Sequence, residues 1–246
     1  MYSPDVWDRN LSSLIRSGAF NEKSAMEPMS AFKWSKLTDF FTEEGILDVF
    51  ADGAEAHYYD EDFNLPDAMR EKVGEEINAN PLQSLSERYS IGNTHMRNLT
   101  LDSRLNQILK EEYTDKEIWW KTLLLLSVII HTTHAMIEGG HSLRGLIDIG
   151  CMVRNESSRI DYPKLHAYLK RLGLSKAARL IGRFLISVLG FSAQEVPFAG
   201  KPCSSDVSLF YQIVVHPNPS KFFMLCLATR EAYAMQKNSQ AKRPEE

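Results

Sequence analysis

From Trp119 to Ile137 nearly every position is apolar or small, so a helix over this stretch has no wet face and belongs inside a core. Gly139-Gly140 supply a backbone that ends it. Ser142 then stands as an N-cap, and Leu143, Leu146, Ile147, Gly150 and Cys151 recur at helical spacing. The pattern predicts a central buried helical hairpin. Its first arm carries no formal charge from Thr122 to Ile137, yet falls short of the roughly 18 apolar residues of a span and contains two histidines. A buried helix, and no membrane, is the expectation.

The flanking pattern is also helical. Val6, Trp7, Leu11, Leu14 and Ile15 predict a short amphipathic helix ending near Gly18, and Asn21 to Ser30, with Pro28, reads as a linker. Ser30 precedes a helix carrying Phe32, Trp34, Leu37, Phe40 and Phe41, whose aromatic load is core packing. Ile46, Val49 and Phe50 continue the theme until a loop at His57 to Asn64. Pro66 opens a helix with Met69 and Val73 on one face, which Asn80-Pro81 breaks. Leu82 to Glu112 holds Leu85, Tyr89, Met96, Leu99, Leu101, Leu105, Ile108 and Leu109, with a break at Gly92-Asn93. Thr114 and Glu117 fit a capping box for the central helix.

Beyond the hairpin, Asp161 caps a helix with Pro163 in its first turn, lined by Leu165, Leu169 and Leu172 up to Gly173. Ser175 opens another, with Ala178, Ile181, Leu185, Val188 and Leu189 inward and Arg171, Lys176, Arg179 and Arg183 outward. Ser208 to Val215 is β-branched and reads as a short strand or a helix end, and Ser220 starts a last helix. The expected fold is all-α, a multi-helix globular bundle around the central hairpin with at most a short strand pair. Residues 1–30 form an N-terminal helix and linker, 31–235 a helical domain, and 236–246 a polar tail.

Composition narrows the function. With 246 residues, 43% of them hydrophobic, the chain can bury a sizeable core. The formal net charge of -4, with bases scattered among acids, argues against a grip on a nucleic-acid backbone. Cys151, Cys203 and Cys226 are odd in number and far apart, which suits free thiols in a reducing compartment; the chain starts without a basic-then-apolar leader, so a cytoplasmic location is expected.

An apolar helix with His131 and His134 near its end, then Gly139-Gly140, Leu143-Arg144 and Asp148, resembles the helical region of an uncharacterised bacterial nucleotidyltransferase-like family. The likeness continues through Ile160-Asp161-Tyr162 and Leu165 to Leu172-Gly173-Leu174, with weaker echoes at Trp34, Glu44-Gly45-Ile46, Ala51-Asp52-Gly53 and Leu65-Pro66. Members of that family that look catalytic carry a Gly-Ser or Lys-Gly turn and an Asp-x-Asp pair that holds Mg²⁺ against a triphosphate. The nearest arrangement here is Asp60-Glu61-Asp62, without the glycine-serine turn and with Tyr58-Tyr59 too short a strand to build a sheet. The resemblance implies a pseudoenzyme with the catalytic core absent.

The remaining candidate chemistry lies in the hairpin. His131, His134 and Glu138 fall on one helical face and His141 lies just past the glycine break, so three imidazoles and a carboxylate can converge. Arg144 and Asp148 are four apart; with the cation first, the pair is a poor surface stabiliser and is expected instead to pair inward with His131 or His134 in a polar pocket. Three readings follow. The first is a non-catalytic binding or interaction module for a protein partner or small ligand, without a cofactor. The second is a nucleotidyltransferase-like enzyme using Mg²⁺, with its catalytic groups supplied by a partner chain or by an arrangement around Asp60 and Asp62. The third is a metal-dependent enzyme using His131, His134 and His141.

Overall fold

Helix α1 (Val6–Phe20) is opened by a reciprocal capping box: Asp8 N–H donates to the Asp5 carboxylate at 3.1 Å, and Asp5 N–H donates to Asp8 at 3.0 Å. The computed structural model describes residues 4–79, 83–114, 120–216 and 234. The helix passes Gly18, the expected stop, and ends at Asn21, whose φ of 54° supplies the left-handed closing residue. Gly18 serves packing instead. A Cβ there would lie 2.0 Å from the Val49 carbonyl oxygen, and one at Gly53 would lie 2.6 Å from the Leu14 carbonyl oxygen.

The segment between α1 and the next helix is pinned along its length. Asn10 exchanges two hydrogen bonds with the Glu27 backbone (2.7 and 3.0 Å), and Asn64 does the same with Met29 (2.9 and 2.8 Å). Ser30 caps α2 (Ala31–Glu43), which buries Trp34, Leu37 and Phe41 while Phe32 stays exposed. Gly45, at φ 66°, turns the chain into α3 (Leu47–Ala56). Helix α1 therefore crosses α3 backbone to backbone through Gly18 and Gly53. Helix α4 (Asp67–Ala79) lies across α2 and α3 and fully buries only Val73.

The stretch that follows departs most from the apolar pattern. After the short α5 (Leu85–Arg88) and a 3₁₀ turn at Ile91–Asn93, α6 (Leu99–Thr114) begins only at Leu99. The Asn98 side chain accepts the Thr100 and Leu101 N–H groups at 3.1 and 3.2 Å and starts the helix there. Leu99, counted inward by spacing, is consequently 86% exposed, and Leu101, Leu105 and Ile108 face the core.

Helix α7 (Trp120–Glu138) is the greasy arm of the hairpin, closed by Gly139 at φ 71°. By length and composition it is long and apolar enough to cross a membrane; 78% of its 18-residue apolar window is buried inside this molecule. It packs on α8 (Leu143–Asn155), α9 (Tyr162–Arg171) and α10 (Ser175–Ser187). Asp161 caps α9 as expected, accepting from Lys164 N–H at 2.9 Å. Residues 208–215 are not a strand. They fall in α11 (Asp206–Phe210) and a π-helical turn at Tyr211–Val215, because burial of Phe210, Ile213, Val214 and Val215 against the bundle overrides their preference for strand. The fold is all-α, with eleven α-helices and no strand among the described residues. Glu117 of the expected capping box, the helix expected after Ser220, Cys226 and the tail 236–246 lie outside the described residues.

Candidate functional site

The candidate residues singled out in the sequence are drawn into three separate sets of contacts. The first lies at the seam between α1–α4 and the hairpin. Glu44, 6% exposed at the end of α2, accepts the Leu143 N–H at 2.9 Å and contacts His141 Nδ1 at 3.1 Å. It therefore caps α8 from a distant helix, while Ser142, the expected cap, makes no capping bond and leaves its hydroxyl buried without a partner among the described residues. One residue on, Arg144 donates to the Gly45 carbonyl (2.9 and 2.6 Å) and forks onto both oxygens of Asp48, one of them at 3.1 Å. Arg144 is thus paired with Asp48, and the expected inward pairing with a histidine is not its arrangement.

The second set is interior. Asp148, 5% exposed at its side chain, accepts from Arg88 Nη2 at 2.9 Å and from the Tyr89 hydroxyl at 2.8 Å. Burial pushes the Asp148 carboxyl above its ordinary range against the pull of Arg88. The Tyr89 phenol is driven far up by burial and by the Asp148 charge. Thr94 bonds the Ser127 hydroxyl at 2.5 Å, with His131 Nε2 3.4 Å away. Burial lowers the His131 pKa, and the neighbouring His134 adds to the effect. Neutral imidazole is the favoured form of His131. Glu138 lies apart, 3.7 Å from Arg97. His131, His134, Glu138 and His141 do not converge, and no group of three or more His, Cys, Asp or Glu side chains among the described residues is placed to hold a metal ion.

The acidic triplet forms the third set. Asp60 contacts Lys23 Nζ with one oxygen and His57 Nδ1 with the other, each at 2.6 Å, and these partners hold its carboxyl below the usual range. Asp62 is exposed on the turn. A divalent ion at Asp60 would have to displace an ammonium and an imidazole, so these residues do not fit the paired-carboxylate site that nucleotidyl transfer needs.

The charged groups legible in the sequence are engaged in tying helices together. Open concave surface lies elsewhere, in a cleft of about 290 Å³ between α3 and α4. Phe50, Ala51, Ala54, Leu65 and Val73 line its walls, and Gly74 also borders it, where a Cβ would meet nothing within 4 Å. Glu55, Tyr58 and Arg70 complete the lining. The Arg70 guanidinium lies 4.6 Å over the Tyr58 ring, and its Nε is buried without a hydrogen-bond partner among the described residues. Spacing gave no sign of this cleft. The single available signal was Gly74, a glycine inside a helical pattern where alanine would be favoured. No protein-family model matches the chain, and no curated protein and no solved structure is found to be similar to it.

The seam makes a pH prediction. The Glu44 pKa is raised above its ordinary 4.5, chiefly by burial, with Glu43 adding to it and the Leu143 and His141 bonds opposing it. The folded state therefore holds the Glu44 proton after the unfolded chain has released it, and Glu44 subtracts stability as pH rises from 4.5 through its folded value. Glu44→Gln, which keeps an acceptor for Leu143, removes that fall. Urea denaturation from pH 4 upward checks it: wild type loses stability relative to E44Q across that window, and parallel profiles contradict the assignment.

Proposed function

We propose that this protein is a non-catalytic helical binding module whose ligand site is the cleft between α3 and α4. One observation carries the reading: the cleft is an open, mostly apolar concavity with a small number of polar groups at hand, whereas Arg144, Asp148, His141 and Asp60 are held in inter-element contacts. Its volume of about 290 Å³ stands at the lower end of small-molecule sites. Such a cleft binds by desolvation and shape and does no chemistry of its own, since Glu55, Tyr58 and Arg70 include no nucleophile paired with a base.

The test uses a blocking variant. Gly74→Leu adds bulk at the lining of the cleft, where a Cβ meets nothing within 4 Å, and is expected to block it while replacing a poor helix former with a good one. Ligand-observed NMR with neutral apolar fragments of about ten non-hydrogen atoms, each given roughly the 30 Å³ share of one water, detects binding to wild type and none to G74L. Fragment binding that ignores Gly74 overturns the reading, as does saturable Mg-nucleotide binding abolished by Asp62→Asn.

A further inference from the structure

We infer that the α3–α4 cleft takes a small amphiphile with an apolar body and a single carboxylate head, held at Arg70. The inference rests on the binding reading above and adds the chemistry of the occupant. The walls contributed by Phe50, Ala51, Ala54, Leu65 and Val73 offer an apolar ligand body nothing to hydrogen-bond. A polar substrate such as a nucleotide or sugar would lose its water there without compensation. The head is selected by Arg70. Its guanidinium carbon lies 4.6 Å from the Tyr58 ring centroid, and its Nε is buried with no acceptor among the described residues. A buried donor on a cation without an acceptor is satisfied by an anionic oxygen, and a planar carboxylate matches the guanidinium fork.

Glu55 is the acidic side chain in the lining, and it is exposed at the rim. It disfavours heads of higher charge and leaves a monoanion preferred over a phosphate dianion. The volume sets the body. About 290 Å³, divided by the roughly 30 Å³ of a water-sized group, accommodates about ten non-hydrogen atoms, the size of an eight-carbon carboxylate. Helix α4, which buries only Val73 fully, covers the cleft with few contacts of its own. Its docking on α3 is completed by the ligand's apolar body.

Octanoate and octan-1-ol share that body and differ in charge, so their comparison isolates the head. Calorimetry on the full chain near neutral pH is expected to show octanoate binding about tenfold more tightly than octan-1-ol, a difference of about 1.4 kcal/mol. Arg70→Gln brings octanoate down to the octan-1-ol affinity, so that the preference for the carboxylate is lost. Gly74→Leu abolishes binding of both while its far-UV circular dichroism matches wild type. If octan-1-ol binds wild type as tightly as octanoate, or if R70Q keeps the preference, the carboxylate assignment is wrong and the apolar cleft stands. If neither probe binds wild type, the binding reading fails and takes this inference with it.

Discussion

Replacing Asp148 with leucine is expected to destabilise the protein by about 3–5 kcal/mol, because it removes one partner of a buried ion pair and leaves the other charged. Arg88 and Asp148 are 16% and 5% exposed at their side chains and 2.9 Å apart, and the Tyr89 hydroxyl donates to the same carboxylate. After the substitution the guanidinium is left without a carboxylate, with Nε and Nη1 already lacking partners among the described residues of the wild-type protein. Tyr89 loses its acceptor as well. A second change discriminates between a structural tie and mere overpacking. Arg88→Met combined with Asp148→Leu replaces the pair with apolar volume and restores most of the lost stability. Equilibrium urea unfolding of the two single variants and the double variant gives the coupling. If the double variant loses the sum of the two single effects, the ion pair is not what holds α5 to α8.

Gly18→Val is the second large effect and acts by a different route. At Gly18 even a Cβ would lie 2.0 Å from the Val49 carbonyl oxygen and 2.8 Å from the Gly53 nitrogen, both backbone atoms that no rotamer change can move. Helices α1 and α3 must separate, and with them the buried Leu11, Leu14, Ile15, Val49 and Phe50. Overpacking of this kind typically costs about 1–3 kcal/mol and occasionally more, and a rigid backbone-to-backbone contact belongs at the upper end. Gly18→Ala is expected to lose about 3 kcal/mol and Gly18→Val to fold poorly at all. Gly74→Ala, in open space, should gain stability by several tenths of a kcal/mol from helix propensity. Thermal unfolding of the three variants checks the ranking. A Gly18→Ala protein as stable as wild type would show that the α1–α3 crossing relaxes freely.

These effects mark where local reading succeeds. The continuous apolar run at 119–137 leaves little choice but a buried helix, and the observed α7 (Trp120–Glu138) ends one residue past it, with Trp119 outside the described residues. Asp161 and Ser30 were readable because an N-cap and its N–H partner are three residues apart. Ser142 has the right residue type and position, yet the cap it was expected to provide comes from Glu44, 99 residues from the N–H it accepts. No local rule reaches that far. Gly18 reads locally as a helix stop, since its packing role depends on the partner helix. Residues 208–215 kept their β-branched character and became helical because burial outweighed propensity.

The candidate site divides in the same way. The histidines, Arg144 and Asp148 could be named from spacing, and they do sit in or beside polar contacts. Their partners could not, because Asp48, Glu44, Arg88 and Tyr89 come from other helices. The cleft was invisible for a related reason: it exists only because the loop from His57 sets α4 against α3 with Gly74 in between. A cavity is a property of two surfaces, and periodicity describes one.

The amide chemical-shift footprint of octan-1-ol on the full chain reports where in the molecule the ligand binds. Binding in the α3–α4 cleft predicts the largest shifts at Phe50 to Tyr58 and Leu65 to Gly74, with Thr132 to Asp148 unmoved. Largest shifts at His131, His134 and Arg144, with α4 silent, would contradict it and return the site to the hairpin.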